Sequence, residues 1–231
     1  MQQDIVKDVL KAFDQAGLWE DGLELIGSWC FFMYQKHLGA KGLPLKTIDI
    51  DFLIPRPFLS RKSVDLEPVL KSIGFDLCHN TDGSIFFQHP ELKLEFLTPE
   101  TGRGDEQPIR IKQLGLRPIS LRFLNMLFDN PIQIKERGVT INLPNPRDYC
   151  LHKLIMGQRR KNEAKRLKDI EHAVYVLPIL KLNDVARTVA AYPPKWHKWI
   201  KDSLHQAVAH MPEEIPTIDK FLSRLEPRTT Q

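Results

Sequence analysis

A chain of 231 residues, 42% hydrophobic and 27% charged, suffices for one large domain or two small ones and excludes disordered, collagen-like and coiled-coil architectures. Its charge is unevenly spread: residues 1–150 hold 18 basic and 20 acidic side chains, whereas residues 151–231 hold 15 and 9. There is no basic and apolar leader, no stretch approaching the ~18 apolar residues of a membrane span, and no disulfide or zinc spacing among Cys30, Cys78 and Cys150, so a cytoplasmic protein with reduced thiols and no membrane partner is expected.

Asp4 is placed to cap a first helix with an apolar stripe of Val6, Val9, Leu10 and Phe13, ended by Gly17. Leu23–Ile26 reads as a short buried strand running into Gly27 and Ser28, after which Trp29, Phe32, Met33 and the Lys36 stem recur at helical spacing until Gly39. Thr47–Ile54 alternates as a strand closed by Pro55 and Pro57, and Asp65–Ile73 is an amphipathic helix stopped by Gly74. Phe75–Cys78 and Ile85–Gln88 form a predicted hairpin around Asn80–Gly83, followed by a strand over Leu92–Leu97 and a surface loop over Thr101–Pro108 containing Gly102 and Gly104.

A second hairpin is predicted for Ile132–Ile134 and Val139–Leu143 around Gly138, and Pro144-Asn145-Pro146 marks a domain boundary. From Asp148 onward the apolar positions recur at three or four residues almost throughout. The predicted fold is α+β: a mixed sheet with flanking helices over residues 1–145, then a mainly helical, basic domain over residues 146–231.

Three features of the first domain carry chemistry. In Thr47–Leu53, strand periodicity puts Asp49 and Asp51 on one face, about 7 Å apart at Cα, with Ile48, Ile50 and Phe52 on the other. Like charges that close repel unless a cation lies between them, and hard oxygen donors favour Mg²⁺. In Leu92–Leu97, Glu95 faces away from Leu94 and Phe96. If the two strands are neighbours, Glu95 is a third carboxylate, enough for two Mg²⁺ ions serving an in-line phosphoryl transfer. Gly27 and Ser28 stand where a strand meets a helix, so close backbone approach and the helix N-terminus make a phosphate cradle. Two of these features also have a plainer reading: a solvated acid for Glu95, a helix cap for Ser28.

In this order and spacing, Gly27-Ser28, Asp49-Ile50-Asp51 and Glu95 resemble the nucleotidyltransferase superfamily typified by DNA polymerase beta, over roughly residues 20–100, with Glu where the superfamily often has Asp. The chain also resembles bacterial nucleotidyltransferase-like proteins, including abortive-infection toxins, through Pro146, Tyr149, His152-Lys153-Leu154, Arg159 and Lys168-Asp169. The resemblance implies an Mg²⁺-dependent enzyme moving a nucleoside monophosphate from an NTP, such as ATP, to an RNA, protein or small-molecule acceptor, with release of pyrophosphate. Asp49, Asp51 and Glu95 would be catalytic and hold the metal; Gly27, Ser28, Lys153, Lys165 and Lys168 would bind the nucleotide. A catalytically silent nucleotide- or RNA-binding module, or a toxin blocked by an antitoxin partner, is the competing reading.

Arg159, Arg160, Lys161, Lys165, Arg166 and Lys168 crowd one stretch opposed only by Glu163, which suits a polyanion or, alternatively, a solvated helix face. On one helix Lys153, Lys161, Lys165 and Lys168 would fall near a common face, a cationic wall across an interdomain cleft, unless Gly157 interrupts the register. The eight histidines show no ligand pairing and are expected to be structural or exposed. The basic aromatic segment around Trp196 and Trp199 reads first as core and second as a base-stacking surface. No dinucleotide, Walker-type or serine-hydrolase motif is present.

Overall fold

The protein, described here by a computed structural model over residues 2–42, 47–60, 62–102 and 107–225, divides into two units. The first comprises residues 1–32 and 45–145, the second residues 33–44 and 146–231. The Gly104 part of the predicted loop lies outside the described residues.

The first unit opens with α1 (Gln2–Gln15), whose Val6, Val9, Leu10 and Phe13 are buried and whose Asp4 sits in the first turn, where the positive end of the helix favours a carboxylate. The chain reverses through Gly17, at φ +74°, into β1 (Glu24–Ile26) and then α2 (Gly27–Leu38). Next come β2 (Asp49–Leu53) and α3 (Leu66–Lys71), the latter capped by the Asp65 carboxylate accepting from Glu67 N–H. β3 (Asp76–His79) and β4 (Ile85–Gln88) are the first predicted hairpin; in its turn Gly83 takes φ +83° and Asp82 Oδ1 accepts from the Ser84 amide and hydroxyl.

β5 (Lys93–Pro99) and β6 (Ile119–Leu121) complete a six-stranded sheet, and β7 (Ile132–Glu136) with β8 (Val139–Leu143) makes the second hairpin. The sheet runs β1-β2-β5-β4-β3, with β6 pairing the far end of β5. β2 and β6 lie parallel to β5, whereas β1 pairs antiparallel with β2 and β4 with β5, so the sheet is mixed.

One face of the central strands is an aromatic core beneath α1. Phe52 lies 4.9 Å from Phe13 and 5.9 Å from Phe96, ring centre to ring centre, and Trp19 and Phe87 extend the cluster. The opposite face changes character along its length. Towards the ends of β2 and β5 it is apolar, with Ile26 and Leu53 packed under Leu124 and Leu127 of a 3₁₀ segment (Leu124–Phe128). Towards their beginnings it is polar. The approach to β1 is fixed by buried Asn142 on β8, whose Nδ2 donates to the Trp19 and Leu23 carbonyls at 2.6 and 3.0 Å.

The second unit is helical: α4 (Pro146–Gly157), α5 (Glu163–Val176), α6 (Leu182–Ala190), α7 (Pro194–His210) and α8 (Ile215–Leu225). Met33–Pro44 belongs to it, and Tyr34 packs edge-on against Tyr149 at 5.2 Å. No helix among the described residues is long and apolar enough to cross a membrane.

Candidate functional site

The polar end of the sheet face gathers the acids. Asp49 and Asp51 are half-buried on one side of β2 while Ile50 and Phe52 are fully buried on the other. In the parallel register Asp51 stands opposite Glu95 and Asp49 opposite Lys93. Adjacent strands lie about 4.8 Å apart, so the three carboxylates and Lys93 occupy four corners of one small patch.

Gly27 closes the patch at the first residue of α2, with φ +67°. A Cβ built there would meet Asp51 Oδ2 at 2.1 Å and Asp51 Cγ at 3.0 Å, so only glycine lets this backbone pass. The Asp51 carboxylate consequently lies against the N-terminal end of α2, whose positive dipole offsets part of the repulsion among the acids. Ser28 follows, half-buried in the first turn.

The side chains are not arranged as a completed ligand set: no three His, Cys, Asp or Glu groups among the described residues converge in metal-holding geometry. Glu95 is engaged elsewhere, its Oε1 accepting from Lys93 Nζ at 2.5 Å, and the same ammonium lies 4.4 Å from the centre of the Phe86 ring on β4. The donor chemistry nevertheless fits a divalent cation. Three hard carboxylates share one face, and the missing Cβ of Gly27 makes room for Asp51 beside a helix N-terminus.

The expected lysine wall differs from what the fold builds. Lys153, Lys161, Lys165 and Lys168 are not on one helix: α4 stops at Gly157, Lys161 lies in the connecting bend, and only Lys165 and Lys168 are on α5. Close packing holds glycine at the end of α4, because a Cβ on Gly157 would come within 2.8 Å of Ile170 Cγ1 and 3.0 Å of Ser203 Oγ. Lys153 is drawn instead to buried Asp169, at 2.5 Å, and Arg160 completes the cluster at 2.9 Å. Burial pushes the Asp169 carboxyl up, but the Lys153 and Arg160 charges outweigh it and hold it down at about 2.

Lys165 is exposed, its amide donating to the Asn162 side chain that caps α5, and Lys168 is half-buried. The structure thus brings Gly27, Ser28, Asp49, Asp51 and Glu95 together in the first unit and places Lys153, Lys165 and Lys168 in the second. Burial drives the buried histidines in the second unit down: His172, hydrogen-bonded to the Tyr149 hydroxyl at 3.2 Å, to about 3, and His152 likewise to about 3. Trp196 meets Tyr192 edge-on, and Trp199 carries Arg159 and Lys195 against its ring, at 5.5 and 4.9 Å.

Lys93 is the feature sequence reading missed. Its signal was available, since Lys93 and Glu95 sit two apart on one strand and so share a face.

Among solved structures, the chain is similar to an antigenic nucleotidyltransferase-like protein from Paracoccidioides brasiliensis, at 12% identity over 91% of this chain and 88% of that one, with a TM-score of 0.50. It also aligns with the antibiotic-resistance factor ANT(2'')-Ia, at 13% identity over 96% and 92% of the two chains, with a TM-score of 0.40. A comparison with curated proteins finds no match. A family model described as Nucleotidyltransferase matches residues 4–192, most of the length and all of the carboxylate patch, and the chain therefore belongs to the nucleotidyltransferase family of transferase enzymes.

Proposed function

We propose that this protein transfers a nucleoside monophosphate from a magnesium-bound NTP to an acceptor hydroxyl on an RNA, a protein or a small molecule. The acceptor oxygen forms a bond to the α-phosphorus as the bond to the β-phosphate bridging oxygen breaks, and pyrophosphate leaves with that electron pair. The observation that carries this reading is the Gly27–Asp51 contact, which sets one acid of β2 against the first turn of α2, with Glu95 in register beside it on β5.

In this reading Asp49 and Asp51 hold Mg²⁺ and Glu95 joins them on the acceptor side; the bound cation would supply charge neutralisation at the reacting phosphate and a more acidic acceptor hydroxyl. Gly27 brings the first turn of α2 close enough for its amide groups to meet phosphate oxygens, and Ser28 adds a hydroxyl donor. Glu95 is placed to accept the acceptor's proton or to orient the acceptor. A module that only bound nucleotide would gain nothing from holding repelling acids together.

The test is incubation with each α-labelled NTP, Mg²⁺, and separately RNA, protein and small-molecule fractions, with Asp51→Asn in parallel. Label transferred by the wild type and lost in Asp51→Asn is the expected result. Transfer that survives in both Asp49→Asn and Asp51→Asn would remove the patch from the chemistry.

A further inference from the structure

We propose that Lys93 is a built-in counter-ion of the carboxylate patch, a positioning residue that holds Glu95 away from the metal until the metal displaces it. The inference rests on the assignment of the patch as a divalent-cation site. Three observations support it. Lys93 stands opposite Asp49 and next but one to Glu95, so all of them share one face of the sheet. That ammonium is bonded to Glu95 Oε1 at 2.5 Å, with both side chains 24% exposed. The Phe86 ring, on the residue opposite Glu95 in β4, supports it from the side at 4.4 Å.

The physical consequence concerns charge balance. Three carboxylates and no cation would repel one another, and Lys93 removes one negative charge from that balance. A divalent ion arriving at the patch must compete with an ammonium already seated on Glu95. Lys93 therefore lowers the affinity of the free enzyme for metal and leaves Glu95 as the ligand recruited last. Were Glu95 to join Asp49 and Asp51 around a cation, the Phe86 ring would still hold the Lys93 ammonium beside the patch.

The test reads metal binding, not turnover. Mn²⁺ is titrated into nucleotide-free wild type, Lys93→Met, Lys93→Arg, Phe86→Leu and Asp51→Asn, with binding followed by electron paramagnetic resonance and folding by thermal melting. Lys93→Met should bind Mn²⁺ about tenfold more tightly, because the competing charge is gone while the stem volume is kept. Lys93→Arg should stay near the wild type, and Phe86→Leu should shift in the direction of Lys93→Met by a smaller factor. Unchanged or weaker Mn²⁺ affinity in Lys93→Met, with Asp51→Asn clearly weakened, would overturn the counter-ion role and leave the metal site standing. Wild-type affinity in Asp51→Asn would instead overturn the metal site, and the role of Lys93 with it.

Discussion

Gly27 takes a φ of +67°, which disfavours a side chain, and a Cβ there would run into the Asp51 carboxylate, with Cγ at 3.0 Å and Cβ at 3.2 Å, so Asp51 would have to move. Gly27→Ala should cost about 1–3 kcal/mol of stability from the strained backbone and should weaken Mn²⁺ or Mg·NTP binding at least tenfold, read by melting and calorimetric titration. Full affinity in a folded Gly27→Ala protein would contradict the proposed role of this contact. Glu95 makes a different prediction, because it is the proposed ligand on the acceptor side. Glu95→Gln should lower kcat by about a hundredfold while moving the KM for NTP little, as expected when an interaction matters mainly in the transition state. An equal loss in both would place Glu95 with the nucleotide instead. At this scale the alternation of Asp49, Asp51 and Glu95 was legible in the sequence, since period two fixes a face. The Lys93–Glu95 bond was open to the same argument but needed the register to show what lay opposite.

At the scale of elements, β1, β2, the first hairpin and β5 were legible because each is a run of alternating or apolar residues bounded by Gly, Pro, Asn or Asp. β6 and the 3₁₀ segment were not. Ile119–Leu121 is three residues long and finds its structure only by pairing with β5, and Leu124–Phe128 folds over the apolar half of the sheet face through tertiary contact. Local pattern carries no information about such partners. The α4 to α5 passage shows the reverse case, in which a single residue carries the signal. Gly157 ends α4 with its Cα against Ile170 and Ser203, and Ser203 is itself fixed, its hydroxyl donating to the Leu154 carbonyl at 2.7 Å and accepting from Gln158. Gly157→Ala should therefore destabilise the protein by about 1–3 kcal/mol through overpacking, although alanine is the better helix former. That corresponds to a melting point several degrees lower; an unchanged or higher one would mean that α4, α5 and α7 give way at this contact.

Across the whole molecule, the two histidines that burial holds neutral, His152 and His172, both lie in the second unit, and this gives that unit its own response to acid. His152 and His172 have folded-state pKa values of about 3 because burial disfavours their charged forms, whereas an unfolded histidine titrates near 6.5. Below pH ~6.5 the unfolded chain binds protons that the folded unit refuses, so each histidine removes stability progressively as the pH falls from ~6.5 towards 3. Asp169 acts lower. Its carboxyl, held at about 2 in the folded unit against an ordinary 3.8, contributes stability that is complete above pH ~4 and is lost as pH falls towards 2. In the first unit the carboxyls Asp4 and Asp82 are also held low, but they are exposed and solvent screens their contribution. Hydrogen exchange followed by mass spectrometry at pH 7, 5.5 and 4.5 should show protection falling first in α4, α5 and α7, while β2 and β5 stay protected. His172→Gln should narrow that difference, since it removes one titrating group and keeps a side-chain partner for the Tyr149 hydroxyl. Simultaneous loss of protection in both units, or no dependence on pH between 6.5 and 4.5, would show that the buried histidines do not govern acid stability.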